Sequence, residues 1–287
     1  MPLFAGGQPI ARLYRGATPI ARAYRGETLL FDAAPTFSPL DLAGLELWLD
    51  AADTATITDA GGGAVSQWND KSGNGRNFAQ ATSGDRPVTG ASTLNGRNVI
   101  DFDADFLVSS SAASVWKFLH DASGSTVFIV FHVDAVSRFM EWFGTQDGST
   151  QVGYYLTARP DSGNNMQHNI ARGVSGNQAV SNNSGGGFFT PGTWLILALA
   201  VDPANATAAN RSAFIKNGGT PVKNNALTNA PSSANPTLTL GIGKIANNDR
   251  KLSGSIAEIL VYSGVLSGSD REAVEDYLSG KWNIALA

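Results

Sequence analysis

The stretch Leu45-Glu-Leu-Trp-Leu-Asp-Ala-Ala-Asp53, answered by Gly254-Ser-Ile-Ala-Glu-Ile-Leu-Val-Tyr-Ser263, decides how the chain reads. Both runs are dense in aliphatic and aromatic residues and are bounded by Gly, Asp and Ser, as strands are. Between them, similar runs recur at Val99–Phe102, Thr126–Val133, Phe139–Phe143, Val152–Thr157, Trp194–Val201, Ala213–Lys216 and Leu238–Ile242. Composition agrees. Of 287 residues, 43% are hydrophobic, only 15% are charged and 32 are Gly, which describes strands joined by turns. One helix is expected near the end. Ser267 with Asp270 makes a capping-box-like start, and Val274, Tyr277, Leu278 and Trp282 then share one helical face. The segments 224–236 and 181–187, poor in apolar residues, read as exposed loops within one body.

The net charge of −4 and pI near 5.3 exclude a general nucleic-acid binder, which needs a broad basic face. Without cysteine there is no disulfide, thiolate metal site or cysteine nucleophile. No signal-peptide pattern opens the chain and no window has about 18 apolar residues, so membrane insertion is not expected and synthesis is expected to be cytoplasmic.

The beginning repeats. Gln8-Pro-Ile-Ala-Arg-Leu-Tyr-Arg-Gly16 returns ten residues later as Thr18-Pro-Ile-Ala-Arg-Ala-Tyr-Arg-Gly26, then decays in Thr28-Leu-Leu-Phe-Asp32. Alternation within each copy, with Gly16 and Gly26 free to turn, predicts short strands in a meander. Arg12, Arg15, Arg22 and Arg25 against Glu27 and Asp32 give this arm +2, which leaves −6 for residues 41–287. A ribbon of this size is marginal alone. It either covers an edge of the body or docks on a partner through Arg12, Tyr14, Arg15, Arg22, Tyr24 and Arg25, residue types enriched at interface hot spots. Two prolines mark residues 33–40 as a linker. The expected division is therefore an arm (1–32), a linker (33–40) and a body (41–287).

The opening run, followed by Val65-Ser-Gln-Trp-Asn-Asp-Lys-Ser-Gly-Asn-Gly-Arg76, Asn95-Gly-Arg-Asn-Val-Ile-Asp-Phe-Asp103, the closing run, Val274-Glu-Asp-Tyr-Leu278 and Lys281-Trp282, resembles concanavalin A-like (laminin G-like) jelly rolls of bacterial and phage surface proteins. The resemblance implies an all-β jelly-roll β-sandwich with one C-terminal helix, preceded here by a β-ribbon arm. The N-terminal repeats resemble those at the starts of phage structural proteins. Together these imply a virion component on the particle surface: a head decoration, head fibre or tail-associated protein. Its partners would be capsid or tail proteins and host-surface polysaccharide, and it would be displayed in several copies, as a homo-oligomer or otherwise. A purely structural decoration without sugar binding, and a polysaccharide-degrading enzyme, are the alternatives.

Glycosidases of this fold place Glu-X-Asp-X-X-Glu on one strand. The six glutamates here, Glu27, Glu46, Glu141, Glu258, Glu272 and Glu275, never take that spacing, and Glu141 reads as a solvent-facing position in a strand. His120, His132 and His168 show no metalloprotease spacing, and there is neither a nucleophile elbow nor a phosphate loop. The expectation is therefore no enzyme, no catalytic residue and no required cofactor. Asp50, Asp53, Asn69, Asp70 and Asn74 offer hard oxygens suited to Ca²⁺, which relatives hold at the sandwich rim, but they equally serve as turn residues. Trp48 and Trp68 read as core. Trp116 and Trp142 are either core or sugar-stacking rings, with Tyr154 and Tyr155 candidates for the same glycan surface.

Overall fold

The computed structural model describes residues 37–135, 138–146, 152–174, 177–244 and 250–287, together with the backbone of short strands between residues 4 and 32. The chain divides into two compact units, Met1–Asp41 and Leu42–Ala287.

The first unit holds three separate antiparallel hairpins: Phe4–Ala5 with Gln8–Pro9, Leu13–Arg15 with Thr18–Ile20, and Arg22–Arg25 with Thr28–Asp32. The innermost partners are Ala5↔Gln8, Arg15↔Thr18 and Arg25↔Thr28, so the hairpins advance by the ten residues of the repeat. Register thus reveals an earlier copy, Phe4–Pro9, and local hairpins rather than a continuous meander. Residues 33–36 of the expected linker lie outside the described residues, and Pro39–Asp41 form a single 3₁₀ turn.

The second unit is an all-β sandwich of two antiparallel sheets with one long helix, α1 (Gly268–Trp282). One sheet has nine strands. The other runs Val88–Leu94, Arg97–Asp103, Ser253–Ser263, Ser125–Val133, Leu195–Val201 and Ser212–Lys216. Its closing strand, Ser253–Ser263, pairs along one edge with Ser125–Val133. The other edge is shared end to end by Arg97–Asp103, against Ser253–Ile256, and by Leu45–Asp50, against Glu258–Tyr262. A bulge at Ala257 separates the two segments.

Strand alternation turns Leu47, Leu49, Ile100, Phe102, Ile129, Phe131, Ile256 and Ile259 into a single core against the nine-stranded sheet. Each such side chain, fully withdrawn from water, contributes about 1.5–3 kcal/mol. All nine sequence-read strands are present, with shifted ends, though Leu238–Ile242 shrinks to Gly241–Ile242. One loop reading is corrected in part: residues 181–183 belong to the strand Asn177–Asn183, beside Asn165–Val174. The segment 224–236 is an irregular, largely exposed loop as read, held by side-chain amides: Asn225 is buried and its Oδ1 accepts from Ser181 N at 2.9 Å, while Asn224 Nδ2 donates to Asn183 O at 2.8 Å.

The helix begins as its cap predicts. Ser267 Oγ accepts from Asp270 N (3.1 Å) and donates to the Asp270 carboxylate (2.8 Å). Asn283 ends it in the left-handed region at φ 55°.

Candidate functional site

The outer face of the seven-stranded sheet carries the remaining residues of the same alternation. It has two halves. Over one half lies α1, with Val274, Leu278 and Trp282 buried. Beneath it Glu258, completely enclosed, accepts from Trp48 Nε1 (2.7 Å), Tyr277 Oη (2.9 Å) and Trp282 Nε1 (2.6 Å), and pairs with Lys281 Nζ (2.7 Å). Lys281 also meets Asp50 at 2.6 Å, and Lys71 bridges Asp50 (2.8 Å) and Asp53 (2.9 Å). Burial pushes the Glu258 carboxyl up and Lys281 opposes that shift. The opening strand, the closing strand and the helix are thus tied at one carboxylate.

The other half is open. Asp101 lies opposite Ser255, and Ser255 opposite His132, across three adjacent strands. With Val88, Ser92, Phe102, Asp103, Asp105, Asp134 and Gly254 they line a cleft of about 480 Å³. Ser255 Oγ donates to Asp101 Oδ1, and Ser253 Oγ to Asp134 Oδ2 at 3.1 Å. Asp101 Oδ2 and His132 Nδ1 are shielded from water yet have no hydrogen-bond partner among the described residues. The imidazole lies 3.6 Å from Asp134, too far for a hydrogen bond, and packs edge-on against Trp194 with ring centroids 4.6 Å apart. Burial lowers the His132 pKa, against the pull of Asp134 and Asp101. Burial raises that of Asp105, against the backbone N–H of Asp103, which donates to its carboxylate at 3.1 Å. Gly254 (φ 150°) lets the closing strand pass the His132 carbonyl, which any Cβ there would strike. The cleft therefore offers carboxylate acceptors, a neutral imidazole and hydroxyls on a rigid sheet, the groups that hold polyhydroxylated ligands.

Sequence reasoning missed these six polar residues: Asp101, Asp103, Asp105, His132, Asp134 and Ser255. The Asp101-Phe-Asp-Ala-Asp105 alternation was visible, but its meeting with His132 and Ser255 depends on strand register.

The residues that were singled out are placed differently. Trp116, Trp142 and Tyr154 have no exposure at all, so as sugar-stacking rings they are corrected to core. Trp116 lies in the 3₁₀ turn Ala113–Leu119, and Trp142 and Tyr154 lie on the inner face of the nine-stranded sheet. Tyr155, one residue on, takes the opposite face, half-buried beside Gln178, and its phenol is pushed up to about 12 by burial. The four candidate rings do not form one surface. Trp48 and Trp68 are buried as read.

Of the oxygen set Asp50, Asp53, Asn69, Asp70 and Asn74, Asp50 and Asp53 meet at Lys71, while Asn69 accepts from Gln67 Nε2. Asp70 accepts backbone N–H groups of Trp48, Ser72 and Arg76 at 2.8–3.0 Å, and Asn74 Nδ2 donates to Leu45 O at 3.0 Å, so both organise the turn. Among the described residues no cluster of three or more His, Cys, Asp or Glu is arranged to hold a metal ion. Glu141 is not solvent-facing. It is buried and paired with Arg250, whose guanidinium also lies 4.6 Å from the Phe139 ring. His168 is sealed in the core on Ser212 Oγ (2.9 Å), its pKa lowered by burial to about 3. Of the arm residues, Arg12 lies outside the described residues. Tyr14 and Arg15 pair with Pro19 and Thr18, and Arg22, Tyr24 and Arg25 with Asp32, Leu29 and Thr28.

No protein-family model matches the chain, and no curated protein matches it in sequence. Solved structures match its fold. Trypanosoma rangeli sialidase in complex with sialic acid gives a TM-score of 0.53 at 12% identity, over 91% of this chain and 36% of the sialidase. The binding domain of Paraclostridial Mosquitocidal Protein 1 gives 0.53 at 13%, over 83% and 52%. Domain 4 of AbnA, a GH43 extracellular arabinanase from Geobacillus stearothermophilus, in complex with arabinotriose, gives 0.50 at 14%, over 82% of this chain and 98% of that domain. This chain thus spans about a third of the sialidase it matches, and likeness at such identity fixes the fold alone. It bears out the all-β jelly-roll sandwich. It also corrects the expectation of no enzyme: a sialidase of this likeness is seen as a covalent intermediate, so the architecture occurs in glycan-cleaving chains as well as glycan-binding domains.

Proposed function

We propose that this chain is a glycan-recognising β-sandwich displayed on a phage virion, with residues 1–32 as its tether to capsid or tail and the outer-face cleft as its sugar site. The cleft carries this reading: Asp101 Oδ2 and His132 Nδ1 are held on the sheet, shielded from water and without a hydrogen-bond partner among the described residues. Buried polar atoms are nearly always satisfied, and a bound hydroxyl would satisfy these. The virion setting is supported by the resemblance of the N-terminal repeats and by an arm whose three small hairpins need a partner to be stable.

A glycan array, run with and without Ca²⁺ and followed by assay for new reducing ends, tests the sugar half. Binding that disappears when Asp101 or His132 is replaced supports the cleft, new reducing ends would make it a glycosidase, and silence throughout overturns it. For the tether, a chain lacking residues 1–32 is expected to stay folded and to lose incorporation into particles. Retained incorporation overturns that half.

A further inference from the structure

We infer that the arm joins chains in pairs: a second copy of this protein adds its own arm, antiparallel and about a two-fold axis at Tyr14, along the strands that carry Phe4, Tyr14 and Tyr24. This adds to the tether reading the unit in which chains reach a particle. The arm's three hairpins are separate two-stranded sheets, which are marginal alone. Their two outer edges are not equivalent. The innermost pairs, Ala5↔Gln8, Arg15↔Thr18 and Arg25↔Thr28, exchange N–H and C=O groups inside the hairpin, so the next pairs, Phe4↔Pro9, Tyr14↔Pro19 and Tyr24↔Leu29, turn theirs outward. Pro9 and Pro19 agree with that alternation, having no N–H to give inside. On the outside they leave their edge without a donor, a common way of closing a strand to addition. The first strand of each hairpin has no such block, and at Phe4, Tyr14 and Tyr24 both an N–H and a C=O face outward. Leu29 lifts the block on the second strand in the third copy alone.

The open positions recur every ten residues, so a partner that fills all of them must offer strands at the same spacing. A second copy does so by identity. The two-fold axis sets Tyr14 against Tyr14, and Phe4 and Tyr24 of one chain against Tyr24 and Phe4 of the other, which uses every open strand at once. Sliding the pairing by one repeat leaves a hairpin unused. Each hairpin then belongs to a sheet of more than two strands, as independent stability requires. Charge selects the same arrangement. Counted along the sequence, Arg12, Arg15, Arg22 and Arg25 fall opposite Gly16, Leu13, Gly6 and Leu3. A parallel, in-register pairing, as in a three-fold bundle, would set each arginine opposite its own copy, and like charges directly opposite destabilise a sheet.

The full chain has no cysteine, so a single introduced one reads the register. Light scattering at micromolar concentration is expected to give twice the chain mass of 30.0 kDa. Tyr14→Cys should form a disulfide-linked dimer on mild oxidation, because hydrogen-bonded antiparallel partners stand about 5.5 Å apart, within disulfide reach. Ala17→Cys, which falls opposite Ala11, should crosslink far more slowly. Replacing Phe4, Tyr14 and Tyr24 together by proline removes the outward N–H groups and keeps the hairpins' own bonds. It should weaken the dimer by roughly tenfold or more, the worth of about one net hydrogen bond, while Tyr14→Phe leaves it intact. A monomeric or trimeric full chain, a dimer that survives the three prolines, or equal crosslinking from positions 14 and 17 overturns the inference. A chain that is monomeric alone, and whose triple-proline variant fails to join particles, gives these edges to a particle protein; that outcome overturns the pairing and leaves the tether reading standing.

Discussion

The two halves of the outer face start from the same strands and end with opposite economies of charge. Under α1, Asp50 and Glu258 are dry and fully matched by lysines and indole N–H groups. Beyond the bulge at Ala257, Asp101, Asp103, Asp105 and Asp134 face an open cleft that no Lys or Arg lines among the described residues. A satisfied carboxylate specifies structure, and an unsatisfied one invites a ligand. Carboxylates on one face of one sheet thus serve either end, depending on whether a helix closes over them.

The sharpest way to break the comparison is to unmatch the covered half. Lys281→Met should leave Glu258 as a buried charge without its ammonium and cost about 3–5 kcal/mol. Urea unfolding would read this, and an unchanged midpoint would mean that the lock is not structural. Next comes Glu275, 1% exposed and 3.7 Å from Arg271, with its pKa pushed up to about 7 by burial from an ordinary 4.5. A raised folded pKa favours the protonated form, so its contribution is present below 4.5 and lost as pH rises through about 7. Glu275→Gln should therefore be more stable than the parent at pH 8, by up to ~3 kcal/mol, and equal to it near pH 4. Thermal melts across that range would check the sign. Ser267→Ala removes the helix cap and should lower stability by about 1 kcal/mol in the same melts. The smallest stability effect belongs to the open half: Asp103→Asn with Asp134→Asn should move the melt by no more than ~0.5 kcal/mol, as surface changes usually do. A large loss there would show that the cleft is a structural element after all.

Much of this architecture was readable from residues. The opening and closing runs announced strands because their apolar alternation is dense, and Ser267 with Asp270 announced a helix start because the cap chemistry is local. The motif residues Trp48, Asp50, Lys71, Glu258, Lys281 and Trp282 proved to be the members of a single buried network, which explains why they travel together in the sequence although nothing local links them. What escaped was long-range. Asp101, His132 and Ser255 come together through register alone, from positions over 150 residues apart in chain order. The polar strands Asn165–Val174 and Asn177–Asn183 escaped for another reason: they bury His168, Asn169 and Asn182, so the usual apolar signature is diluted. The aromatic candidates failed because a ring next to a Ser-rich or Gly-rich loop says nothing about which side of the strand it takes. Trp142 and Tyr154 went inward, and Tyr155 did not.

The closing strand has a consequence for how the molecule is made. It occupies the middle of its sheet, held on one edge by residues 125–133 and on the other by residues 45–50 and 97–103. A ribosome delivers it after all of those partners, so the earlier strands wait with a gap between them and their apolar faces uncovered. We therefore expect the sandwich to remain unfolded until residue 263 has emerged. A chain ending at residue 250 should be degraded or captured by chaperones, and protease resistance of that fragment would count against this order of assembly.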